Sequence, residues 1–272
     1  MNCGDNVYDS GLDSKYQRFF FQVYNADVAG PRVGAPLLRS VPFYAVLGNH
    51  DVQDKDANNH EVSDFTRNSD ALGFYTAMHL PLNGPTTLAH PTPMMGPPER
   101  LDSFRVAAAG RYPRMANYSF DCGDVHLLCL DSNLYIDPND QALQAWIDAD
   151  LAATDATWKF VLYHHSAFNV GGDHFVVQHM RVLAPLFERH GVDFVLSGHE
   201  HNYQRPRPIT FVPSGLGMSA DVAGRTRRVP GTFTISWWID ASSSTSFCAD
   251  AARAPTRTRA EAVLKPSKRA HS

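Results

Sequence analysis

Residues 192–201 read Val192-Asp193-Phe194-Val195-Leu196-Ser197-Gly198-His199-Glu200-His201, an apolar run that ends in a histidine-rich turn. Residues 192–196 are short, apolar and bounded by Ser-Gly, which predicts a buried strand. Gly198 lets the backbone approach a neighbour closely. His199 and His201 are two apart, so an extended loop would present them to opposite sides, where each can serve a different metal ion. The same juxtaposition recurs. PFYAVLG (42–48) leads into Asn49-His50-Asp51, WKFVLY (158–163) leads into His164-His165, and Gly4-Asp5-Asn6-Val7-Tyr8 lies near the chain start. In open α/β sheets ligands bind beyond the carboxyl ends of strands, so such loops can converge on one site.

Working outward, VHLLCL (125–130) is a further strand, and 117–130 reads as a hairpin turning at Cys122-Gly123-Asp124. Helical spacing marks 13–26, with Asp13 or Ser14 as N-cap, and 138–152, where Leu143, Trp146, Ile147 and Leu151 share a face. It also marks 174–190, where Val177, Met180, Val182, Leu183, Leu186 and Phe187 do so and Gly191 caps the end. Strands alternating with helices predict a layered α/β fold. Residues 81–98 hold six prolines and read as a long surface loop.

The chain of 272 residues suits one large domain, and its 43% apolar content is enough for a core. No apolar run approaches the ~18 residues of a membrane helix. The first 30 residues carry Asp5, Asp9 and Asp13 and lack the apolar core of a signal peptide. Residues 225–272 carry nine Lys/Arg against three Asp/Glu, whereas the rest carries fifteen against twenty-five. An acidic body argues against nucleic acid as a partner. Cys3, Cys122, Cys129 and Cys248 form no CxxC pair, and Cys122 and Cys129 sit in apolar runs as expected of small core residues. From about 241 the chain is Ala, Ser, Thr, Arg and Pro, a composition expected of a disordered tail.

Taken singly, each polar segment has an ordinary reading. Asp-Asn-x-Tyr and Asn-His-Asp are common turns, His164-His165 suit a buried core, and Gly-His-Glu-His suits a solvated loop as well as a metal. Four of them in one chain, mostly at strand ends, point to a shared metal site. In these residues the chain resembles the calcineurin-like metallophosphoesterase superfamily and, within it, the purple acid phosphatases. The carriers are GDNVY (4–8), GNHD (48–51), VLYH (161–164) and GHEH (198–201), and the resemblance spans about residues 2–213.

The resemblance implies an α/β fold, a four-layer αββα sandwich of two mixed sheets over residues 1–213 that lacks its first strand, with uncertain terminal strands over 214–240 ahead of the compositionally basic tail at 241–272. It implies that Asp5 bridges two metal ions. Tyr8 and His201 would bind the first, Fe(III), and Asn49, His164 and His199 the second, Zn, Fe(II) or Mn(II). His50 would face the phosphate and steady or protonate the leaving group, with Asp51 orienting it. His174 would be a second phosphate-facing histidine, and Glu200, Tyr203 and Arg205 would support the loop. The implied reaction is hydrolysis of small phosphomonoesters by in-line attack of a metal-bound hydroxide, in a secreted or periplasmic setting, without nucleic acid or membrane as partner.

The chain departs from the family pattern at its start. The Asp-x-Gly segment and its strand are missing before Gly4, which suggests a late start or a fragment boundary and one carboxylate fewer at the first metal. At the far end, Gly215-Leu216-Gly217 and Thr232-Phe233-Thr234-Ile235 are the expected remnants of closing strands. Two other functions therefore stay open at this point: a non-catalytic relic with impaired metal binding, and a phosphodiesterase of the same superfamily.

Overall fold

The computed structural model describes residues 1–214 except 53, 56–60, 172 and 173, together with 224–228 and 235–236. The tail from 241 and Gly215-Leu216-Gly217 lie outside the described residues.

The main sheet grows from the hairpin of β4 (Tyr118–Cys122) and β5 (Val125–Cys129), which pair antiparallel from Tyr118 opposite Cys129 to Cys122 opposite Val125. Gly123 turns it with φ +59°, a left-handed conformation that suits glycine. β6 (Trp158–His165) then pairs parallel with β5, and β7 (Phe194–Gly198) parallel with β6. β10 (Ile235–Ser236) adds a parallel edge to β7, giving the order β10-β7-β6-β5-β4. Of the expected closing strands, only Ile235 falls on a described residue, and Thr232-Phe233-Thr234 lie outside them; a separate antiparallel hairpin joins β8 (Ile209–Pro213) and β9 (Gly224–Arg228). A second mixed sheet joins β1 (Asp54–Lys55), β2 (Glu61–Asp64) and β3 (Met94–Met95). The α/β class and the two mixed sheets are as expected.

The crossover between β5 and β6 is the helix Gln141–Ala153. It begins at Asp140, whose Oδ1 accepts from the N–H groups of Ala142 and Leu143 at 2.7 and 3.2 Å, satisfying two donors that have no partner within the helix. Its Leu143, Ile147 and Leu151 are fully buried. They join Leu128, Leu130, Val161 and Leu162 of the sheet in one core, each such side chain contributing roughly 1.5–3 kcal/mol by leaving water.

Four expectations need correction. Residues 42–48 form no strand: Ala45 makes a single parallel bridge to Asn2. Its partner segment turns away immediately, with Gly4 at φ +95° and Asp5 at φ +52°, so the ladder has nothing to extend along. The helix at 13–26 runs through Asp13–Lys15, a π-helical stretch Tyr16–Phe21 and Gln22–Tyr24, but its N-cap is Leu12, which supplies no side-chain cap. Asp13 instead accepts from Thr76 Oγ1 at 2.6 Å. Residues 174–190 do not form one helix. A 3-10 turn, His179–Leu183, precedes the helix Ala184–Arg189, and Pro185 explains the break because it lacks the N–H that a continuous helix needs there. Gly191 does follow that helix in the left-handed conformation, at φ +64°. Cys122 is exposed at the hairpin tip, whereas Cys129 is buried.

Candidate metal centre

The carboxyl ends of β6 and β7 carry His164 and His199, and the segments 4–8 and 48–51 lie across them. His164 is the hub. Its Nδ1 lies 2.7 Å from the carbonyl oxygen of Cys3, so that nitrogen carries the proton. Its Nε2 faces three atoms at once: Asn49 Oδ1 at 3.0 Å, His199 Nδ1 at 3.1 Å and Asp5 Oδ1 at 3.3 Å. One proton on Nε2 can satisfy only part of that set, whereas a metal cation accepts lone pairs from all of it. Asp5, His164 and His199 bring their ligand atoms within 4.8 Å of one another, and all three are largely buried. A metal-ligating histidine that donates its other N–H to a backbone carbonyl is the usual arrangement. The residues therefore fit a metal ion.

Glycines let the segments approach. A Cβ on Gly48 would stand 2.1 Å from Asp5 Oδ1, and one on Gly4 would stand 2.5 Å from His164 Nδ1. A cavity of about 240 Å³ opens beside the cluster, between Asp5, Tyr8, His164 and His199 and the side chains of Leu162 and Leu196.

The electrostatics are those of one buried carboxylate among crowded imidazoles. Burial works to raise the Asp5 carboxyl, but the charge and hydrogen bond of His164 and the backbone N–H of His50 hold it well below the carboxylate range. Burial works to lower His164, and Asp5 reverses it, raising the imidazole above its ordinary value. His199 is lowered to about 2 by burial and by the neighbouring His164 and His174, so it is neutral and able to ligate.

Residues 1–203 match the calcineurin-like phosphoesterase family. The chain belongs to that family. Purple acid phosphatase 17 of Arabidopsis thaliana is 25% identical over 229 residues, covering 81% of this chain and 58% of that protein. Tartrate-resistant acid phosphatase type 5 of Sus scrofa is 26% identical over 253 residues, covering 86% of this chain and 62% of that protein. A purple acid phosphatase from yellow lupin seeds is 16% identical with a TM-score of 0.47, covering 74% of this chain and 31% of that structure. Within the phosphoesterases, the chain is similar in sequence to purple acid phosphatases, and it spans less than two thirds of the length of these two curated relatives.

Of the sequence-predicted residues of this calcineurin-like chain, Asp5, Tyr8, Asn49, His164 and His199 come together. Tyr8 donates its O–H to Asp5 Oδ2 at 3.1 Å. His201 stands apart: it is exposed, and its ring lies 6.5 Å from that of His174. His174 packs on the cluster, its ring 3.9 Å from His199. The loop beneath it is held by buried Glu200, whose Oε2 accepts from the His174 N–H at 3.1 Å. Tyr203 and Arg205 are exposed.

His50 packs against Tyr8 with ring centroids 4.4 Å apart, and its Nδ1 lies 2.8 Å from Asp9 O. Asp51 does not orient it. The Asp51 side chain turns inward, fully buried, and accepts from Asn6 N at 3.1 Å, Asn6 Nδ2 at 3.0 Å, Gly48 N at 2.8 Å and Tyr16 Oη at 2.7 Å. The reason is geometric. His50 already uses the carbonyl of Asp9, and three of the four donors on Asp51 come from the two loops that carry Asp5 and Asn49. Burial raises the Asp51 carboxyl to about 6, helped by the nearby Asp5 charge.

Two further buried residues adjoin the cluster: His165, which the sequence leaves without a role, and Ser132, which it does not single out. His165 has its ring 4.3 Å from His199, and Ser132 lies under both histidines of β6. The signal for Ser132 was present: Asp131-Ser132-Asn133 directly follows the strand 125–130, as the other site segments follow theirs.

Proposed function

We propose that the chain is a metal-dependent phosphatase that hydrolyses small phosphomonoesters at a dinuclear centre. The observation that carries this is the convergence of Asp5, Asn49 and His199 on His164 Nε2, beside an open cavity. Asp5, Asn49, His164 and His199, with Tyr8 and His201, would hold Fe(III) together with Zn, Fe(II) or Mn(II). Bound there, such ions neutralise a phosphate dianion and make water acidic enough to act as a nucleophile near neutral pH.

The protein's own groups do the rest. Cys3 O fixes the His164 tautomer that leaves Nε2 available as a ligand. Asp9 O fixes the His50 N–H at Nδ1, so any proton His50 donates to a leaving oxygen is the Nε2 proton of its imidazolium. His174, packed on His199, would donate a hydrogen bond where negative charge grows on phosphate oxygens. The setting proposed for this activity is secreted or periplasmic, in line with the resemblance to purple acid phosphatases. No helix among the described residues is long and apolar enough to cross a membrane.

A second reading, metal binding at one ion without turnover, draws on the position of His201 outside the Asp5-His164-His199 group. Metal analysis after reconstitution separates the two. Two ions per chain with release of phosphate from an aryl monoester, and much less from the matching diester, supports the phosphatase. One ion per chain and no phosphate release supports the second reading.

A further inference from the structure

Ser132 is fully buried at the end of the β5 strand segment and belongs to no ligand set above. It sits beneath an irregularity in β6. The β6–β7 register runs through Leu162 opposite Leu196 and resumes at His165 opposite Gly198. β6 thus advances three residues where β7 advances two, which is one extra residue and a bulge. In a regular strand neighbouring side chains point to opposite faces. Here the rings of both His164 and His165 lie against His199, at 4.9 and 4.3 Å.

The N–H groups of these two consecutive residues both donate to one atom, Ser132 Oγ, at 3.0 and 2.9 Å. With its lone pairs occupied by two N–H donors, the hydroxyl has its own proton left for His165 Nδ1, 3.1 Å away. Ser132 is itself held, since its carbonyl accepts from His179 Nε2 at 2.8 Å. Its neighbour Asp131 accepts from Tyr135 Oη at 2.6 Å and Asn133 Nδ2 at 2.9 Å. All of these groups are buried.

We propose that Ser132 is a positioning residue of the metal centre: its hydroxyl holds the β6 bulge that turns His164 Nε2 toward Asp5, Asn49 and His199. The proposal rests on the metal-site reading above. Without the hydroxyl, two buried N–H groups lose their acceptor, and the strand is free to return to a regular pleat that carries His164 away.

The test is calorimetric titration of the chain with Zn²⁺ alone. Ser132→Ala is expected to weaken binding by about 10- to 100-fold, the range typical of a lost partner behind a ligand, while Ser132→Thr, which keeps the hydroxyl, stays within about threefold. Leu151→Ala, a core variant on the far helix, is expected to lose thermal stability without losing Zn²⁺ affinity, which separates positioning from general loosening. Folded Ser132→Ala that binds Zn²⁺ as the parent does overturns the proposal. If Ser132→Ala does not fold, Ser132→Thr decides, and its loss of Zn²⁺ binding in a folded state overturns the proposal as well. His164→Ala is the control for the site: if it binds Zn²⁺ normally, the metal-site reading has failed and the proposal falls with it, whereas Ser132→Ala binding normally beside a His164→Ala that does not bind sinks the proposal alone.

Discussion

The hydroxyl of Tyr16 donates to Oδ1 of Asp51 across 2.7 Å, directly beneath the loops that carry Asp5 and Asn49. Through the same carboxylate, Asn6 on one loop and Gly48 on the other are tied together. Asp51→Ala would leave the N–H groups of Asn6 and Gly48 and the Tyr16 hydroxyl without their acceptor. At about 1–3 kcal/mol for each unsatisfied buried group, destabilisation on the order of 3 kcal/mol or more is expected. Tyr16→Phe removes one donor and should cost only about 1–2 kcal/mol. Urea unfolding of both variants checks the order, and equal costs would show that Asp51 is not the hub.

Gly48 is required by close approach. A Cβ there would stand 2.1 Å from Asp5 Oδ1 and 2.3 Å from Asp5 N, with little room for either to retreat. Gly48→Ala should therefore displace the Asp5 carboxylate and weaken Zn²⁺ binding by about tenfold or more. Titration of the folded variant reads this directly; unchanged affinity would mean that Asp5 is not a ligand.

Tyr8 reaches the same carboxylate from the other side, at 3.1 Å. If it ligates Fe(III), the iron-loaded chain will be coloured by phenolate-to-iron charge transfer, and Tyr8→Phe will bleach it while retaining iron. An iron-loaded parent without a visible band removes Tyr8 from the ligand set.

Far from the site, His126 bridges Asp121 and Asp150, each at 2.8 Å, and so joins the β4–β5 hairpin to the helix Gln141–Ala153. Burial works to lower its pKa, but the hydrogen bonds and charges of Asp150 and Asp121 raise it above the ordinary 6.5. A raised folded-state pKa means that the stabilisation is fully present below the unfolded value of about 6.5 and is lost as pH rises through the folded value. The gap in thermal midpoint between the parent and His126→Gln should be widest at about pH 5.5 and close as pH rises. A gap that widens with pH would reverse the assignment.

The fold was legible where strands pair with their neighbours in sequence or across one helix. The hairpin 118–129, strands β6 and β7, and the helix after Asp140 all follow from local pattern and capping. The apolar run 42–48 shows the limit. An apolar pattern announces burial, but a strand also needs a ladder partner, and among the described residues only Asn2 offers one. The residues of the candidate metal cluster could be read because imidazole and carboxylate beside glycine at strand ends are chemically distinctive. The bulge that Ser132 holds and the inward turn of Asp51 could not be, because a bulge depends on the register of two strands, and the donors of Asp51 come from residues 3 to 45 positions away.

On the reading proposed above, the strand-end loops build a metal-dependent hydrolytic centre around His164. The most direct measurement is phosphate release from an aryl phosphate monoester by the metal-reconstituted parent and His164→Ala, with metal content determined on the same samples. Release by the parent is expected to require added metal and to fall by about 100-fold or more in His164→Ala as metal is lost. Undiminished release by His164→Ala, or a parent that binds metal and releases no phosphate, would contradict it.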